Sequence, residues 1–178
     1  MKEVNEHRTP DKAARFVHDI IKRCQQDKGL AARLRRADNP ATEYQSWDVL
    51  AAYGIDLEKE YERLPYVTVA AAIARSKAGN NGSLPLGKAI AACFDDASNS
   101  DQAQARLRRL LACDDAAEAC RILRPLFSLI DSRVPQALDF ARLLKQLLWF
   151  NERTRASWAQ EFYGRSTGEQ QGCRQEAA

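Results

Sequence analysis

The chain has 178 residues, of which 45% are hydrophobic and 29% charged, with only 8 Gly and 6 Pro. That balance suits one core-forming domain or two small ones and excludes a disordered or fibrous chain. The net charge of +3 is confined to residues 1–90, with 15 basic and 12 acidic groups, while residues 91–178 balance at 12 and 12; a polyanion site must therefore come from placement rather than net charge.

The first helix is expected from Thr9 as cap and Pro10 in the first turn, with Asp11 facing the positive end of the dipole. Phe16, Val17, Ile20, Ile21 and Cys24 recur at helical spacing, and Gly29 is read as the stop. A short helix over 30–37 ends at Asn39-Pro40. Thr42 opens another, with Tyr44, Trp47, Leu50 and Ala51 as its inner face, and Gly54 closes it. Asp56 is taken as the next cap, with a kink or break at Pro65. Residues 66–77 are apolar on most sides, as in a central bundle helix. AGNNGS (78–83) is a loop, and 86–94 a short helix.

DDASNSDQ (95–102) is polar enough to connect two units. Helices then follow from Gln102 to Cys113, from Asp114 or Asp115 through Pro125, from Pro135 to Phe150, and from an Asn151 cap to Gly164. Period-two alternation is absent. The chain therefore reads as all-α, with two small helical bundles over 9–94 and 101–164 joined by a short linker. The tail 165–178 lacks an apolar pattern and is expected to be disordered.

Several classes drop out. The longest apolar run, VTVAAAIA from Val67, falls well short of the ~20 residues of a membrane span. The N-terminus mixes charges and is no targeting peptide, so a cytoplasmic location is expected. Cys24, Cys93, Cys113, Cys120 and Cys173 show no CxxC spacing, and His7 and His18 sit near no cysteine pair, so reduced thiols are expected and no metal or cofactor. Nucleophile, Walker and HExxH motifs are missing, and the paired acids Asp95-Asp96 and Asp114-Asp115 fall at helix starts. No catalytic residue is assigned.

One element occurs twice: RLRR, at 33–36 and 106–109. In the second copy Leu107, Leu110 and Leu111 share a helix face, while Arg106, Arg108 and Arg109 fan across the opposite arc. In the first, Leu30 and Leu34 point inward, Arg33 and Arg36 share an outer edge, and Arg35 lies away from it. Acids follow each run without interrupting it. Such faces suit phosphate, although a solvated surface gives the same pattern. Tyr44, Trp47, Trp149 and Trp158 have the chemistry to stack on bases, yet their helical spacing fits a core better.

LRRA (34–37), LPLGKAIA (84–91), RLRRLLACDD (106–115), ILRPL (122–126) and LLWFNERTRASWAQEFYG (147–164) come in this order. In order and spacing the series resembles the CasB family, the small subunits of the type I-E CRISPR surveillance complex Cascade. The resemblance spans about Phe16 to Tyr163. It implies a two-bundle helical fold and a non-enzymatic role. Two copies would lie along the complex, face the CRISPR RNA–target duplex, contact the other Cascade subunits and hold the displaced DNA strand. Carried onto matching positions, it implies nucleic-acid contacts at Arg35 and Arg36, then Lys88, Arg106, Arg109, Arg124, Arg153 and Arg155, with Arg63 in a poorly matched region. Glu152 departs from relatives that are basic there. The competing reading is a helical adaptor whose basic faces bind acidic protein surfaces.

Overall fold

The computed structural model describes residues 11–76 and 78–164. The expected cap Thr9, the neighbouring Pro10, Cys173 and the tail lie outside that range. Within it the chain is helical: α1 (Lys12–Gln26), α2 (Lys28–Arg36), a 3-10 helix (Pro40–Ser46), α3 (Trp47–Ala52), α4 (Glu60–Ser76), α5 (Leu86–Ala92), α6 (Asp101–Leu111), α7 (Ala116–Arg133), α8 (Phe140–Leu148) and α9 (Glu152–Tyr163). The one β-type pairing among the described residues is a parallel bridge between Leu84 and Leu138.

Side-chain caps set most starts. Asp11 accepts from the Ala13 N–H to begin α1, and Asp27 accepts from the Leu30 N–H to begin α2. Asp27, rather than Gly29, therefore divides the first two helices. At α7 the capping is reciprocal: Asp115 accepts from the Glu118 N–H at 2.8 Å, and Glu118 accepts from the Asp114 N–H at 3.0 Å. Gly54 closes α3 with a φ of 67°, a conformation a side chain would strain.

The start expected at Thr42 falls instead at Pro40, where Asn39 caps the 3-10 helix, and the starts of α4 and α8 differ as well. Asp56 forms a local turn with the Glu58 N–H, and α4 begins only at Glu60, then runs through Pro65 without a break. The proline removes one N–H close to the solvated end of the helix, which the rest of α4 tolerates. Similarly, α8 starts at Asp139, whose carboxylate accepts from the Arg142 N–H. Residues after Pro135 are held extended by the Leu84–Leu138 bridge, and Asn81 donates to Asp139 at 2.9 Å.

α4 is the central helix, buried at every position from Leu64 to Ala74 and packed against α1, α2, α7 and α8. α5 lies on α9. Buried side chains of both halves form one hydrophobic cluster, so the division expected at 95–102 runs beside a shared core.

The four described cysteines are free. Burial pushes the Cys113 thiol up to about 11 and the Cys120 thiol up to about 12, against an ordinary 9.0. Both are therefore held protonated in the native chain while the unfolded chain ionises first, and stability should fall as pH rises above 9.0. Among the four described thiols, alkylation at about pH 8 should reach half-buried Cys24 first and leave Cys120 untouched until unfolding. Early labelling of Cys120 would show that it is not packed as described.

Candidate nucleic-acid interface

The two RLRR helices turn their leucines inward. Leu30, Ala31 and Leu34 are buried on α2, and Ala103, Leu107 and Leu110 on α6. Arg35, Arg36, Arg106, Arg108 and Arg109 are exposed. Arg33 leans away to Asp48 at 3.0 Å, so in the first copy it is Arg35 and Arg36 that share a surface. Arg108 donates to Gln104 at 3.0 Å, one turn back on its own helix.

α7 joins the two copies. Arg106 and Arg109 line a cleft with Arg121, Ile122, Pro125 and Leu126. Arg121 and Pro125 also border an open groove with Arg35, Arg36, Arg75 and Arg124. Arg121, Arg124, Pro125 and Ser128 lie three or four residues apart and so form one stripe along α7. Seven arginines and one acid, Asp38, thus line two continuous depressions. Within the helix, Pro125 also leaves the Arg121 carbonyl without its usual N–H partner.

Asp38 sits in the floor. It takes a hydrogen bond from Arg75 of α4 and lies 3.4 Å from the Arg124 Nε of α7. One carboxylate therefore ties the end of α2 to two other helices while only half-neutralising its own partners. Among the described residues, one Nη of Arg75 and the Nε of Arg124 are buried without a hydrogen-bond partner, so their positive charge is only partly offset and adds to the field over the groove. Arg124 is 14% exposed at its side chain, so it contributes positive field from below rather than an outward-reaching hand.

The remaining cations expected from the sequence are not in the groove lining. Arg63 is held by Glu43 at 2.6 Å and by the Leu57 carbonyl, and its guanidinium lies 5.7 Å over the Trp47 ring. Lys88 is exposed in a separate depression with Glu161 and Tyr163. Arg155 donates to the Cys113 carbonyl at 3.2 Å, pinning the start of α9 to the end of α6, and Arg153 is exposed beside it on that turn. Glu152 also is exposed there.

Of the four aromatics expected in the core, Trp158 is fully buried, and its indole donates to Gln146 at 2.8 Å. Tyr44, Trp47 and Trp149 are exposed, Trp149 at 75%. Two groove residues went unassigned from the sequence, Arg75 and Arg121. Arg121 had a local signal in its spacing to Arg124 and Pro125. Arg75 had none, because it follows a run that is buried at every position from Leu64 to Ala74.

The family described as CRISPR-associated protein Cse2 matches residues 30–163, a span holding both RLRR copies and every groove residue. Among solved structures, the crystal structure of M. ruber CasB is similar at 26% identity with a TM-score of 0.65, covering 83% of this chain and 92% of that one. No curated protein matches the chain. The chain belongs to the CRISPR-associated Cse2 family, the CasB family of small Cascade subunits.

Proposed function

We propose that the chain is a non-catalytic Cascade subunit that holds nucleic acid by its phosphates and stabilises the displaced strand of the R-loop. The observation that carries this reading is the junction at Arg121, which makes one basic path out of two helices some seventy residues apart in sequence. Arginines reaching phosphates position a strand and carry no base information, as a strand of arbitrary sequence requires.

The energetic role follows from strand exchange. An RNA–DNA hybrid is about as stable as the DNA duplex it replaces, so modest backbone contacts tip the balance toward the open state. Sequestering the displaced strand along the groove removes the partner needed for reannealing. Proposed partners are the CRISPR RNA with its target DNA, the other Cascade subunits and a second copy of this chain. Exposed Trp149 and Trp47 favour protein contact elsewhere on the surface.

R-loop lifetime is the test. Cascade assembled with the Arg35→Ala, Arg36→Ala, Arg106→Ala, Arg109→Ala, Arg121→Ala chain should release its R-loop about tenfold faster or more, approaching Cascade without the subunit. Equal lifetimes for all three assemblies would remove the proposed role.

A further inference from the structure

A second cleft continues the groove beyond Arg75. It is formed by the last turn of α4, the last turn of α7 and the segment leading into α8, and encloses about 270 Å3. Arg75 lines both this cleft and the groove. On α7 the groove residues Arg124 and Ser128 are followed at helical spacing by Asp131, which lines the cleft. The two depressions are therefore neighbours on one stripe.

Their chemistry differs. Phe127, Val134, Leu138 and Phe140 make the cleft walls apolar, and Asp131 and Arg75, with the neutral side chains of Ser76 and Gln136, place a carboxylate, a cation and two further polar groups among them. One Nη of Arg75 is bound to Asp38, and its other Nη is buried without a partner. A phosphate is disfavoured beside the Asp131 carboxylate by like charge. A neutral flat ring is favoured: its faces meet apolar walls, its amino or imino groups donate to Asp131, and its ring nitrogens or carbonyls accept from an arginine. The volume lies just under the ~300 Å3 at which pockets for drug-sized ligands begin, which suits a single ring system.

We infer that this cleft receives one unstacked nucleobase of the strand whose phosphates occupy the groove. The inference rests on the phosphate-binding reading above and adds a substrate class to it. A base in a duplex is stacked and paired, and only a single strand presents one free to turn inward. Apolar walls accept any base, so strand selection is gained without sequence choice.

The test compares two oligonucleotides of equal length and charge bound to the full chain, one of ordinary thymidine nucleotides and one entirely abasic. The wild-type chain should bind the abasic strand about tenfold more weakly, with the same salt dependence for both. Val134→Trp and Ala137→Trp, which fill the cleft from within and from its exposed edge, should each erase that difference while keeping salt-dependent binding. Unchanged melting temperatures for the two variants establish that the fold is intact. Equal wild-type affinity for both strands, with salt dependence retained, would overturn the base site and leave the groove standing. A difference that survives in both Trp variants would likewise place base recognition elsewhere. Failure of both strands to bind would overturn the groove and the cleft together.

Discussion

Replacing Arg35, Arg36, Arg106, Arg109 and Arg121 with alanine is expected to weaken single-stranded DNA binding by about a hundredfold at low salt. Exposed ion pairs contribute roughly 0.2–1 kcal/mol each, so five of them supply about 3 kcal/mol, or two powers of ten. The salt dependence carries the sharper signature. Each phosphate contact on a single strand adds about 0.7 to the log–log slope, and losing five should flatten it by roughly 3.5. Arg63→Ala is the contrasting variant. Its guanidinium is already committed to Glu43 and the Leu57 carbonyl, so its loss should lower stability and leave the slope in place. Measurement of affinity against salt for the three proteins separates these outcomes, and an unchanged slope in the five-fold variant would take these arginines out of the interface.

A large stability effect is expected at Gly87, inside the LGKA element. A Cβ there would stand 2.3 Å from the Trp158 carbonyl oxygen and 2.7 Å from the Phe162 nitrogen. Both atoms are backbone of α9 and yield only if α5 moves away from it. The Gly87 N–H also donates to Glu161 at 3.1 Å, and Glu161 in turn accepts from Arg142 of α8 at 2.5 Å, so displacement of α5 loosens three helices at once. Overpacking of this kind costs about 3 kcal/mol, which for a chain of this size lowers the melting temperature by roughly 6–12 °C. Lys88→Ala, next door but exposed, should change stability by less than ~0.5 kcal/mol. Thermal melts of the two variants check the pair. A Gly87→Ala protein that melts with the wild type would show that α5 and α9 are not in such close contact.

The LGKA element therefore has two halves of different kinds. Its glycine serves packing, and its lysine stands in a depression apart from the basic groove. Much of this was legible locally: the helices, an acidic cap at Asp114 or Asp115, the Asn151 cap, the inward leucines of both RLRR copies and the central position of α4 all follow from short-range pattern. The misplacement of Tyr44 and Trp47 has a specific cause. Residues Pro40–Ser46 wind as a 3-10 helix, at 3.0 residues per turn rather than 3.6. The inner face consequently falls on Glu43, Ser46, Val49 and Leu50, and the two aromatics rotate outward. The late start of α8 depends on a bridge to Leu84, far away in sequence, which no local pattern reveals.

The groove was legible only in part for the same reason. Arginine-rich faces on α2 and α6 can be read from periodicity, but their continuity requires α7 to lie between them and Asp38 to bind across helices. Arg63 and Arg124 look alike as isolated cations in the sequence. Their partners distinguish them: Glu43 and a carbonyl draw Arg63 out of reach of a ligand, whereas Arg124 shares Asp38 with Arg75 beneath the groove.

If nucleic acid lies along the path through Arg121, it shields the arginines that line that path. Arginine footprinting tests it most directly: the full chain is modified with phenylglyoxal, with and without bound single-stranded DNA, and each site is read by mass spectrometry. Protection is expected at Arg35, Arg36, Arg106, Arg109 and Arg121, with Arg15, Arg23 and Arg142, exposed on α1 and α8, modified equally in both samples. Protection of Arg15, Arg23 and Arg142 with Arg121 left fully reactive would contradict that path.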